Sequence, residues 1–102
     1  MEAYHKSNQF LKDARVVARR RGYNPDFLQL SNDGVHKLMY RSPAGLKRFG
    51  RMGYGDYLYY KRFHPEIANQ KKHVFRTSHK EISKLHDLGK YSPNELAINI
   101  LW

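Results

Sequence analysis

The sequence predicts a small α+β domain, and three observations carry that expectation. Apolar residues at helical spacing run through 7–21, two short apolar runs flank Ser42-Pro43-Ala44-Gly45, and the second half repeats helix-start signals. At 102 residues the chain has room for one domain, residues 1–102, with a thin core.

The N-terminal helix is expected over 7–21. Ser7 is a cap, and Phe10, Leu11, Ala14, Val17 and Ala18 form one stripe. Its last turn, Arg19-Arg20-Arg21, suits the negative end of the helix dipole. Gly22 and Pro25 mark the stop. A strand-rich region follows over 27–51. Phe27, Leu28 and Leu30 make a short apolar piece, then SNDG turns the chain. A β-hairpin near 36–51 comes next, with strands at 36–41 and 46–51. Pro43 and Gly45 suit the second and fourth positions of a type I turn.

Residues 56–102 are expected to hold three to four short helices. Asp56 caps one that ends at Phe63. Pro65 and Glu66 open another, with Ile67, Ala68, Val74 and Phe75 as its apolar face. Ser78-His79-Lys80-Glu81 has the pattern of a capping box, predicting a new helix with Ile82, Leu85 and Leu88, closed by Gly89. Ser92-Pro93-Asn94-Glu95 is a second such box, opening a helix to Trp102. Within 56–63, Tyr59 and Phe63 share a face and are expected in the core.

The formal net charge is +10, far from neutral for so short a chain. Such a chain repels itself and attracts anionic partners: nucleic acid, acidic protein or lipid headgroups. Cations and rings together are the ingredients of a phosphate-tracking, base-stacking surface. The expected anion or partner contacts are Lys47, Arg48 and Arg51 on the hairpin and Tyr57, Tyr60, Lys61 and Arg62 beside it. Lys71 and Lys72 on the following helix join them, as do Arg19, Arg20 and Arg21. The arginine run also reads as plain dipole compensation, and the others as solvated faces of a basic protein. The terminal LAINILW predicts a helix packed on the core or docked on a partner, with Leu101 and Trp102 as interface anchors.

Several chemistries find no footing. There is no cysteine, hence no disulfide and no thiol nucleophile. None of the six histidines forms a helical i, i+4 pair and no HExxH occurs, so no metal site and no cofactor is expected. Nine acids, several of them at helix starts, are few for a two-metal nuclease. A tyrosine nucleophile among Tyr57–Tyr60 lacks a clear arginine and glutamate setting, so no catalytic residue is expected. No run is long enough to span a membrane, although contact with a membrane surface fits the charge. The opening MEAYHKSNQF has no apolar signal core, which predicts a chain not secreted by a signal peptide.

From about residue 37 to the end, the chain resembles an uncharacterised family of small basic proteins encoded by large nucleocytoplasmic DNA viruses. The residues that carry the likeness are His36 to Tyr40, Pro43 to Gly45, Phe49-Gly50 and Gly53-Tyr54-Gly55-Asp56-Tyr57. Pro65-Glu66 and Leu96 to Trp102 complete it. Two stretches depart from the family pattern: the run after Pro65-Glu66 is IANQKKHVFRTSHK, and the ending has one tryptophan. The resemblance implies a viral origin, no known enzymatic activity and no assigned active residues. The expected function is therefore a non-enzymatic structural component of a virion, bridging larger capsid or other virion proteins. The alternative is a non-specific nucleic-acid-binding or genome-compaction protein.

Overall fold

A computed structural model describes residues 1–86 and 89–102, and the side chains outside 80–88. A short helix α1 (Glu2–His5) precedes the expected N-terminal helix, α2 (Asn8–Arg20). Ser7 caps α2, its Oγ accepting the Phe10 N–H at 3.2 Å. The apolar stripe buries Phe10, Ala14 and Ala18. At the other end the Tyr23 N–H reaches back to the Ala18 carbonyl and the Gly22 N–H to the Arg19 carbonyl. This crossed pair needs a left-handed residue after the cap, and Gly22 supplies it with φ +86°.

The sheet is antiparallel, in the order β1 (Leu28–Leu30), β2 (His36–Ser42), β3 (Gly45–Arg51). The hairpin is in place, with His36 opposite Arg51, Leu38 opposite Phe49 and Ser42 opposite Gly45. Pro43 and Ala44 form its tip, and Ser42 Oγ both donates to the Gly45 carbonyl and accepts the Ala44 N–H. Phe27 is a correction. It ends a 3₁₀ turn (Pro25–Phe27) capped by Asn24, stands 46% exposed and joins no strand. Pro25 fixes the turn, so pairing starts only at Leu28.

Asp56 caps α3 (Tyr57–Phe63), with Oδ1 accepting the Tyr59 N–H at 2.9 Å. Then comes α4 (Pro65–His86), which overturns the expected break at Ser78. A capping box acts only where the preceding backbone leaves the helix. No glycine or proline lies between Glu66 and His86 to force that exit. Leu88 lies outside the described residues, as do the side chains of Ile82 and Leu85. Two other expected core residues face water: Val74 is 59% exposed and Phe63 50%. Tyr59, by contrast, packs against the core. Finally, Ser92 caps α5 (Pro93–Leu96), which runs on into a wide π-helical turn over Ala97–Leu101.

The core lies between α2, the sheet and this C-terminal segment. Phe10, Leu28, Leu38, Phe49, Leu96, Ile100 and Leu101 are its largest fully buried apolar side chains among the described residues. Close approach of the last turn to β3 depends on Gly50. A Cβ there would come within 2.5 Å of Leu101 Cδ1, and φ is +74° besides.

Candidate functional site

Two polar constellations stand out, one buried and one open. The buried one is centred on Asp56, which has no exposed surface. Its Oδ2 lies 3.0 Å from Lys37 Nζ and 2.9 Å from His5 Nε2, and both partners are buried too. Burial alone pushes the Asp56 carboxyl up. The His5 contact, the Lys37 charge and the Tyr59 N–H outweigh it and hold the carboxyl below its usual range. At Lys37 the balance reverses. Burial lowers the ammonium pKa and the single carboxylate does not restore it. The difference is one of partner number: Asp56 faces three partners, Lys37 one. The His5 Nε2–Asp56 contact is close but not well directed as a hydrogen bond.

Sequence reasoning placed Asp56 as a cap, which is correct, but saw nothing of the rest. Lys37 sits opposite Gly50 on the strand pair, with its stem packed alongside that glycine. The alternation of β2 therefore predicts a solvated lysine where the C-terminal turn covers one. No local signal tied His5 to either residue.

The open constellation is a cleft of about 570 Å³ bounded by α2, α3, α4 and the last turn. Arg20 and the capping Arg21 at the end of α2, Lys61 and Arg62 from α3 and Lys72 from α4 line it, together with Tyr57 and Trp102. Three stretches that lie far apart in the chain thus meet at one place. Asp13 is the one acid in this lining, and it is engaged. Both its oxygens accept from Arg62 at 3.0–3.2 Å, and the Tyr4 hydroxyl donates to it. Burial raises the Asp13 carboxyl, but the hydrogen bonds from Tyr4, Gln9 and Arg62 bring it below its usual value. Burial and the Asp13 carboxylate in turn push the Tyr4 phenol up.

Arg20, Arg21, Lys61 and Lys72 remain without an acid of their own among the described residues. Their mutual repulsion registers at Lys72. Burial lowers its pKa first, and the positive charges of Arg21, Arg76, Lys61 and Arg20 lower it further. Lys72 also sits over the Tyr57 ring, 4.4 Å from its centroid, which fixes the ammonium at the cleft wall. Tyr57 in turn meets Asn69 at 3.4 Å.

The other expected contact residues do not join this cleft. Arg19 is exposed on α2 outside it. Arg48 turns toward the 31–34 loop, donating to Asn32 Oδ1 at 3.0 Å and lying 3.9 Å from Asp33. Lys47 is on β3 across from Tyr40. Arg51 lines a second cleft of about 380 Å³ with Tyr54 and His79. Lys71 is exposed over Tyr60, whose ring tucks against Gly55. Leu101 is a correction. At 1% exposure it belongs to the core and offers no surface to a partner. The turn over 97–101 directs it under Gly50, and Trp102 alone of the pair reaches the surface.

Among the described residues no group of three histidine or acidic side chains gathers as metal ligands do. No described helix is long and apolar enough to cross a membrane. The cleft brings positive charge and aromatic surface together, and its one acidic side chain, Asp13, is held by Arg62 and Tyr4. Comparison with protein-family models, curated proteins and solved structures finds no match for the chain.

Proposed function

We propose that this chain is a non-enzymatic binding protein that takes the sugar–phosphate backbone of nucleic acid into the cationic cleft without reading sequence. One observation carries the reading: Arg20, Arg21, Lys61 and Lys72 converge from three helices on a cleft whose single acid is already used. Phosphates entering there would relieve like-charge repulsion and release counterions. The resemblance to small basic proteins of large DNA viruses supports a virion as the setting, with the genome as the natural polyanion.

The test is binding of labelled oligonucleotides against salt. Affinity should fall as salt rises, with a log–log slope of about −3 if four phosphates are engaged by a single strand. Arg21→Gln with Lys61→Gln should make that slope shallower by about 1.4. Arg41→Gln with Lys47→Gln, on the hairpin, should leave it unchanged. Equal effects of the two pairs would show that total charge matters and the cleft does not.

A second reading, a component bridging larger capsid proteins, is favoured by Tyr54. It lies within the Gly53–Tyr57 segment that carries the resemblance and is 64% exposed, as an interface anchor would be. Failure of every oligonucleotide to bind, with the protein present in purified particles, would move the proposal to this reading.

A further inference from the structure

The charge reading leaves one feature of the cleft unused. Phe75 of α4 lies parallel to Trp102, with centroids 4.4 Å apart and planes 11° apart. It also lies parallel to His79, at 3.6 Å and 13°. Two rings this close and this parallel to a third must take its opposite faces. Trp102, Phe75 and His79 therefore form one column of stacked rings. Trp102 alone of the three lines the cationic cleft, and all three rings line the second cleft beside Arg51. The other ring near Trp102 is Tyr60, 6.2 Å away and tilted 43°, so it does not stack. The column thus stops at the cleft with an indole whose second face has no parallel ring upon it among the described residues. The C-terminal turn holds it there: Leu101 anchors under Gly50, and Arg76 of α4 donates to the Ile98 carbonyl at 3.1 Å.

We propose that the cleft selects single-stranded nucleic acid, with one base stacking on Trp102 while Arg20, Arg21, Lys61 and Lys72 hold the adjoining phosphates. This rests on the nucleic-acid reading above and adds strand selection to it. Every base has a π-face, so a ring platform accepts any sequence. In a duplex those faces are covered by neighbouring base pairs, and an indole fixed at a cleft wall cannot reach them. A preformed column also leaves little ordering to do on binding, because Phe75 already holds the indole plane. The cleft volume of about 570 Å³ has room for a nucleotide.

Trp102 is the only tryptophan in the chain, so its emission reports on the end of the column. The experiment titrates the full-length protein at low salt with three probes of equal length: oligothymidylate, an abasic oligomer and a duplex. Oligothymidylate should quench Trp102 and bind about 10-fold more tightly than the abasic oligomer, as stacking of one base implies. The duplex should bind without quenching. Trp102→Leu should bring oligothymidylate down to the abasic level. Binding of all three probes with equal affinity, or without a quench specific to oligothymidylate, overturns strand selection and leaves the charge reading standing. Tighter binding of the duplex overturns it as well. Failure of all three to bind overturns both proposals. The quench is measured on the unaltered protein, so the outcome does not depend on whether the variant folds.

Discussion

Asp56 accepts the Tyr59 N–H with one oxygen and holds Lys37 and His5 with the other. It therefore ties α1, β2 and the start of α3 to a single buried carboxylate. Removing one partner of such a set strands the other charge in the interior. Asp56→Ala should destabilise the protein by about 3–5 kcal/mol, read from urea unfolding. Asp56→Asn keeps an oxygen for the cap and should lose less. The pH dependence has a definite sign. The folded Asp56 pKa lies below the ordinary value of 3.8. Its contribution to stability is therefore complete above the unfolded carboxyl pKa and disappears as pH falls through the folded one. Asp13 and Asp33 are also lowered and act in the same direction. The denaturation midpoint should be level down to about pH 5 and drop below about pH 4, with a shallower drop in Asp56→Asn. A midpoint that improves on acidification would contradict this arrangement.

The helix ends show how far local pattern reaches. Ser7, Asp56 and Ser92 each cap a helix as their sequence context implies, because each follows backbone that is already non-helical. Ser78 has the side chain of Ser7 and Ser92 and, like Ser92, a glutamate three residues on, yet sits inside α4. Ser7→Ala should cost about 1 kcal/mol of stability, the usual worth of a cap. Ser78→Ala should be neutral or slightly stabilising, since alanine is the better residue inside a helix. Equal losses from the two changes would argue for a break at Ser78 after all. The hairpin was legible for a related reason. Turn chemistry at Pro43 and Gly45, with apolar runs on either side, leaves little choice of register. The 3₁₀ turn at Pro25–Phe27 was not, because a proline that ends one helix also shapes the residues after it.

Across the whole molecule, a formal charge of +10 opposes compaction, and the cleft concentrates part of it. The melting temperature should rise with sodium chloride, as screening weakens the repulsion. At low salt it should rise further with inorganic polyphosphate, because a ligand that binds only the folded form stabilises it. Thermal melts of the protein with and without polyphosphate check this, and Arg21→Gln with Lys61→Gln should lose most of the polyphosphate increment. A melting temperature indifferent to polyphosphate would count against the cleft as an anion site.

The α+β class, the hairpin, the capped helices and the excess of positive charge all follow from residues within a few positions of one another. Their causes are short-range: side-chain periodicity, turn dihedrals and orphan backbone groups at helix ends. The same reasoning named Arg20, Arg21, Tyr57, Lys61, Lys72 and Trp102 one by one, but as three unrelated stretches. Only folding decides that α2, α3, α4 and the last turn bring them to one cleft, while Arg48 is drawn to Asn32 and Leu101 is buried under Gly50. Only folding decides, too, that Lys37 and His5 leave water for Asp56. Whether a charge is solvated, paired or held beside like charges depends on what packs against it, and those neighbours come from distant parts of the chain.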